Sequence, residues 1–175
     1  MMLPRSMGAT LTPISFSPRW AWNLERSPRH NALSRTMALA SELLHQHIQT
    51  LVADDAPWQT VIADDLVWEP PYAPAMGHPV RLSRRKEVVR HVTWSLGAVI
   101  QFRFFDLQVY ALADPDTAVA EVQAEARIKT TGRPYRQAYV LFLRAAGGKI
   151  ACLREYFDPV RAAQALDTPI LDLGS

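Results

Sequence analysis

Residues 117–129, TAVAEVQAEARIK, alternate without a break. Val119, Glu121, Gln123, Glu125 and Arg127 fall on one side, and small or branched apolar residues fall on the other. A period of two over this length is the signature of a strand with one buried face. The flanks repeat the pattern. Residues 101–112 (QFRFFDLQVYAL) are rich in aromatic and branched side chains and reach the central strand through the turn Asp114-Pro115-Asp116. Gly132-Arg133-Pro134 breaks the chain before a third strand, residues 135–144 (YRQAYVLFLR). Gly147-Gly148 then makes a hairpin turn into a fourth, residues 149–157 (KIACLREYF). Connections this short leave only antiparallel neighbours.

Upstream the period changes. Ser41 is placed to cap a helix whose Leu43, Leu44, Ile48 and Leu51 recur at helical spacing, and Pro57 ends it. Residues 61–68 (VIADDLVW) read as a short helical or extended segment, and Pro70, Pro71 and Pro74 mark a loop. Ser83, with Glu87 near the capping-box position, opens a second helix from Arg84 to Gly97. Its inward face holds Val88, His91, Val92 and Ser95, with Val99 beyond its end. After Asp158-Pro159 a short helix carries Ala162, Ala163 and Leu166. Helices followed by a strand meander predict an α+β domain: a curved antiparallel sheet wrapped around N-terminal helices. Such a cone has one open end, where a small-molecule pocket is expected.

The chain has 175 residues, 49% hydrophobic and 21% charged, which excludes a disordered acidic chain and a coiled coil. No apolar run approaches the roughly 20 residues that cross a bilayer, so no membrane role is expected. The single cysteine, Cys152, rules out an intramolecular disulfide and a thiolate zinc site, and suits a reducing, cytoplasmic setting. The net charge of +2 is concentrated in residues 1–36, where Arg5, Arg19, Arg26, Arg29 and Arg35 face only Glu25. Without that stretch the chain holds 14 basic and 16 acidic residues, so no nucleic-acid partner is expected.

Residues 1–36 read as a poorly ordered basic extension rich in proline and serine, and residues 37–175 as a single domain. Three readings of the extension stand: an organelle-targeting segment, a translation start that belongs at Met37, or a strap in which Trp20 and Trp22 cover an apolar patch.

Polar residues on apolar faces are the candidates for chemistry. His91 and Ser95 share a helical face with Val88 and Val92. The imidazole is either a buried group satisfied by a carbonyl or a proton carrier near neutral pH. Glu155 alternates with Ala151, Leu153 and Phe157, on an otherwise apolar strand face. It is either a proton carrier with a raised pKa or an acid paired with an arginine such as Arg103 or Arg127. Tyr135 is placed to donate to a ligand oxygen, while Tyr139 reads as core. Glu121 and Glu125 read as solvent or intersubunit surface. His45 and His47, two apart on a helix, make a poor metal pair, and His78 has no partner nearby in sequence. No metal site and no cofactor are expected.

RHVTWSL (residues 90–96), the Asp114-Pro115-Asp116 turn and GGKIACLREYFDPVRAAQAL (residues 147–166) resemble the phenazine-biosynthesis A/B proteins, part of the SnoaL-like, NTF2-like superfamily. The resemblance implies the NTF2-like cone, a homodimer and a small-molecule substrate. In that family an amine condenses with a ketone, and no metal or organic cofactor takes part. The matching proton carriers are Glu155 and His91, Ser95 matches a substrate-holding serine, and Tyr135 falls near a substrate-contacting tyrosine. A departure lies at Ala56-Pro57-Trp58-Gln59, where the family carries a basic residue for a substrate carboxylate. Arg133 or Arg136 is expected to bind the anion instead, unless the substrate lacks one. The superfamily also allows a polyketide cyclase or ketosteroid-isomerase-like enzyme, and a non-catalytic binding protein in which Glu155 is ion-paired.

Overall fold

A computed structural model of the chain describes residues 39–52, 55–172 and 174. The expected N-terminal extension lies outside the described residues.

Helix α1, Ala40–Thr50, buries Ala40, Leu43, Leu44, His47 and Ile48, a stripe at three- and four-residue spacing. It starts earlier than Ser41 suggests. Leu39 is the N-cap residue, and its N–H donates to the Glu42 carboxylate at 3.2 Å. Helix α2, Asp55–Val61, carries the buried Trp58. The ambiguous segment after it is extended: strand β1 runs Ile62–Glu69. A loop with one 3-10 turn, Ala73–Met76, leads to the two-residue strand β2, Leu82–Ser83. Helix α3 is Arg85–Gly97. Ser83 does not cap it with its side chain; the Ser83 N–H donates to Glu87 Oε2 at 2.8 Å, and Arg84, at φ 72°, is the N-cap residue.

The four expected strands are β3 (Val99–Ala111), β4 (Thr117–Ile128), β5 (Pro134–Ala146) and β6 (Lys149–Tyr156). They form the antiparallel meander, but the sheet continues past β6 in the order β2-β1-β6-β5-β4-β3. Strand β1 lies parallel to β6, with Trp68 beside Leu153 and Glu69 beside Arg154. The expected antiparallel meander is present, and this parallel pair, which joins segments more than eighty residues apart, extends the sheet beyond it.

Strand β3 is bent by register shifts between Ile100 and Arg103 and between Phe105 and Gln108. Gln101 and Asp106 sit inside these shifts with φ of 55° and 51°. An extra residue in the left-handed region kinks a strand and strengthens its twist, which is how the sheet curls. On the inner face Ala118, Ala120, Val122, Leu141, Leu143 and Leu153 join one core with Leu43 and Leu44 of α1 and Val88 and Val92 of α3. Burying one such leucine contributes about 2 kcal/mol. The alanines of β4 leave room for α1 to pack close. Helix α4, Pro159–Leu166, follows Asp158, whose carboxylate accepts from the N–H groups of Val160 and Arg161. Its Ala162, Ala163 and Ala165 are buried. No helix among the described residues is long and apolar enough to cross a membrane.

Candidate active site

The concave face of the sheet and the helices enclose a cavity of about 200 Å³. His91, Ser95, Tyr135 and Glu155 all line it, with apolar neighbours that include Val92, Phe104, Leu141 and Phe157. Arg136 does not. It follows Tyr135 on β5, so alternation turns it to the outer face, where it is exposed and lies opposite Glu125 in register.

Glu155 is delivered by the same alternation. It lies opposite Leu141 in the β5–β6 ladder and two residues beyond the buried Leu153. Arg154 and Tyr156 point outward, the first to Glu69 at 2.6 Å and the second against the rings of Tyr72 and Phe142. No hydrogen bond or ion pair reaches the Glu155 carboxylate from the described residues. Arg103 binds Glu125 at 2.6 Å, and Arg127 donates to the Gly132 carbonyl. As a residue Glu155 is half-buried because part of its surface opens into the cavity. The protein packed around its carboxyl still strips away water and pushes the pKa up to about 7.

His91 sits one helical turn before Ser95. Burial lowers its pKa, and the neighbouring His78 lowers it further. The rings of His91, His78 and Trp94 form a triangle with centroids 6.0, 5.2 and 5.7 Å apart. Trp94 is 57% exposed, which puts this aromatic group at the cavity's mouth. Ser95 Oγ donates to the Val92 carbonyl at 2.9 Å, leaving its oxygen free to accept. The hydroxyls of Tyr135 and Tyr139 are 2.6 Å apart. Burial raises both, Tyr135 to about 12, and the Glu155 charge adds to the effect. Among the described residues no group of three or more His, Cys, Asp or Glu side chains is arranged to hold a metal ion.

Residues 44–153 match the SnoaL-like domain family. The chain belongs to the SnoaL-like family. It is 31% identical over 128 residues to an uncharacterized PhzA/B-like protein of Pseudomonas aeruginosa, a match covering 73% of this chain and 89% of the relative. Within the family it is therefore PhzA/B-like. A solved structure of a presumed isomerase from Bacillus subtilis superposes with a TM-score of 0.67 at 27% identity, covering 76% of this chain and 96% of that one. A phenazine biosynthesis-related protein from P. aeruginosa gives 0.65 at 18% identity, covering 78% and 90%. The second likeness is one of fold alone, the NTF2-like cone.

Three lining groups of this SnoaL-like domain escape a reading by motif. Tyr139, which reads as core, lines the cavity as the hydrogen-bond partner of Tyr135. His78 comes from the proline-rich loop and meets His91 only through the fold. His47 is 1% exposed, while His45 is exposed. A signal for His47 was present in the sequence: it continues the apolar stripe of Ala40, Leu43 and Leu44. Cys152 is buried on the outer side of β6, and burial raises its thiol pKa, so it offers no nucleophile.

Proposed function

We propose that this SnoaL-like protein is a small-molecule biosynthetic enzyme that moves protons on a cyclic ketone-type intermediate, with Glu155 and His91 as its acid–base pair. The observation that carries the reading is a carboxyl with no partner among the described residues, in an apolar cavity that also holds His91. With its pKa near 7, Glu155 populates both forms at neutral pH. It can take a proton from the carbon beside a carbonyl and return it elsewhere. His91, kept neutral, serves the second transfer, and Ser95 and Tyr135 orient the substrate.

The same pair suits imine formation. The carboxylate accepts the amine proton, and the conjugate acid protonates the departing hydroxyl of the carbinolamine, releasing water. The phenazine-related relatives support that branch. One observation favours isomerisation or cyclisation of a neutral ketone instead: among the described residues no lysine or arginine lines the cavity to balance a substrate carboxylate. The protein is read as a homodimer through the outer face of the sheet, which carries exposed Tyr110 and Phe142.

Hydrogen–deuterium exchange at the α-carbon of 1-tetralone, followed by NMR, tests the proposal. Glu155→Gln is expected to stay folded and lose exchange at least 100-fold, and His91→Gln to lose less. An unchanged rate in folded Glu155→Gln leaves a ligand-binding protein.

A further inference from the structure

His47 belongs to the cavity and takes no part in the scheme above. Its Nδ1 accepts a 2.9 Å hydrogen bond from Trp58 Nε1. The indole N–H can only donate, so Nδ1 carries the lone pair and the ring proton sits on Nε2. No group in the described structure accepts from Nε2. Every fully buried side-chain nitrogen or oxygen among the described residues has a partner, so the remaining surface of Nε2 opens on the cavity that the residue lines. The ring is held edge-on against Trp68, with centroids 6.0 Å apart. Trp68 lies beside Leu153, and Glu155 is two residues further along the same face. His47 and Glu155 therefore address one space from adjoining walls.

We infer that His47 is a ligand-binding group: a neutral imidazole locked by Trp58, whose Nε2–H binds the carbonyl or enol oxygen of the small molecule. An isolated N–H in an apolar wall is left without a partner by a hydrocarbon ligand and satisfied by an oxygen acceptor. Burial also keeps the ring uncharged, holding its pKa down to about 4. A neutral donor binds a ketone without a counter-ion. It also stabilises the negative charge that grows on that oxygen as a neighbouring carboxylate removes the α-proton. The inference rests on the reading of the cavity as a ketone site, though not on Glu155 turning over substrate.

The test compares two probes of similar shape, 1-tetralone and tetralin, which differ in the oxygen. Removing His47 alone strands the Trp58 N–H, so the informative variant is Trp58→Phe with His47→Leu, which removes both partners together. The ratio of tetralone to tetralin affinity is expected to fall about 5–10-fold in that variant. His47→Gln, which keeps an amide N–H near the Nε2 position, should restore part of it. In protein labelled with ¹⁵N-histidine, the His47 Nε2–H signal should shift with tetralone and stay with tetralin. An unchanged ratio, an Nε2 without its proton, or no His47 shift on adding tetralone overturns the inference. A normal exchange rate in Glu155→Gln, with the His47 result intact, instead removes the acid–base proposal and leaves this one standing.

Discussion

The hydroxyls of Tyr135 and Tyr139 lie 2.6 Å apart on one face of β5, four residues from each other. Gln137 lies between them on the same face, and their partners on β4 are Ala126 and Val122. The Tyr135 hydroxyl has the Gln137 side chain as a further partner, and burial raises the pKa of both tyrosines. Tyr135→Phe and Tyr139→Phe are each expected to cost about 1 kcal/mol, because each removes the bond between the two hydroxyls. The double variant should cost less than the two singles together. Urea unfolding of all four proteins measures the difference.

Glu155 makes stability fall as pH rises. Its folded pKa of about 7 lies above the ordinary carboxylate value of 4.5, so the folded state holds the proton more tightly. That contribution is whole below pH 4.5 and is lost as the pH climbs through 7. Glu155→Gln removes the ionisable group. The variant should match the wild type near pH 4.5 and exceed it by roughly 3 kcal/mol at pH 9. Denaturant midpoints across that range check the expectation, and a constant gap defeats it.

His47 acts on the acid side with the opposite sign. Its folded pKa of about 4 lies below the ordinary 6.5, so the unfolded chain takes up the proton first. Stability contributed there is whole above pH 6.5 and drains away toward pH 4. In Trp58→Phe with His47→Leu this acid limb should flatten, whatever the cost of the change at neutral pH. Thermal melts at pH 4.5 and 7 show whether it does.

Glu69 ties β1 to its parallel neighbour. Its carboxylate accepts from Arg154 Nη2 at 2.6 Å and Nε at 3.0 Å, and from Arg81 at 3.0 Å. Glu69 and Arg154 keep only 19% and 23% of their side-chain surface. Glu69→Ala is therefore expected to destabilise by about 2 kcal/mol, more than an exposed pair would. Amide exchange should rise first along β1 and β2, at that edge of the sheet.

Gln101 holds φ 55° at a bulge of β3, where a side chain is strained and glycine is not. Gln101→Gly is expected to stabilise by about 0.5–1 kcal/mol, the relief of strain outweighing glycine's looser unfolded state. The melting temperature measures it, and a loss would mean that the bulge is not under strain.

The sequence by itself determined the meander, α3 and the inward side of Glu155, because alternation and helical spacing are local properties of neighbouring residues. It also determined that His91 and Ser95 share a face. The 61–68 segment stayed open because VIADDLVW has no clean period, and only the parallel edge of β6 makes it a strand. Ser41 and Ser83 look like caps, yet Leu39 and Arg84 hold those positions, since a cap depends on the backbone angles entering the helix. The side taken by Arg136 was legible locally: it is one residue from Tyr135, and one residue on a strand changes the face. Tertiary structure alone decided that no arginine among the described residues reaches Glu155, that His78 meets His91, and that Trp58 fixes the tautomer of His47. Those are contacts between segments far apart in the chain, and they form only when the sheet curls around the helices.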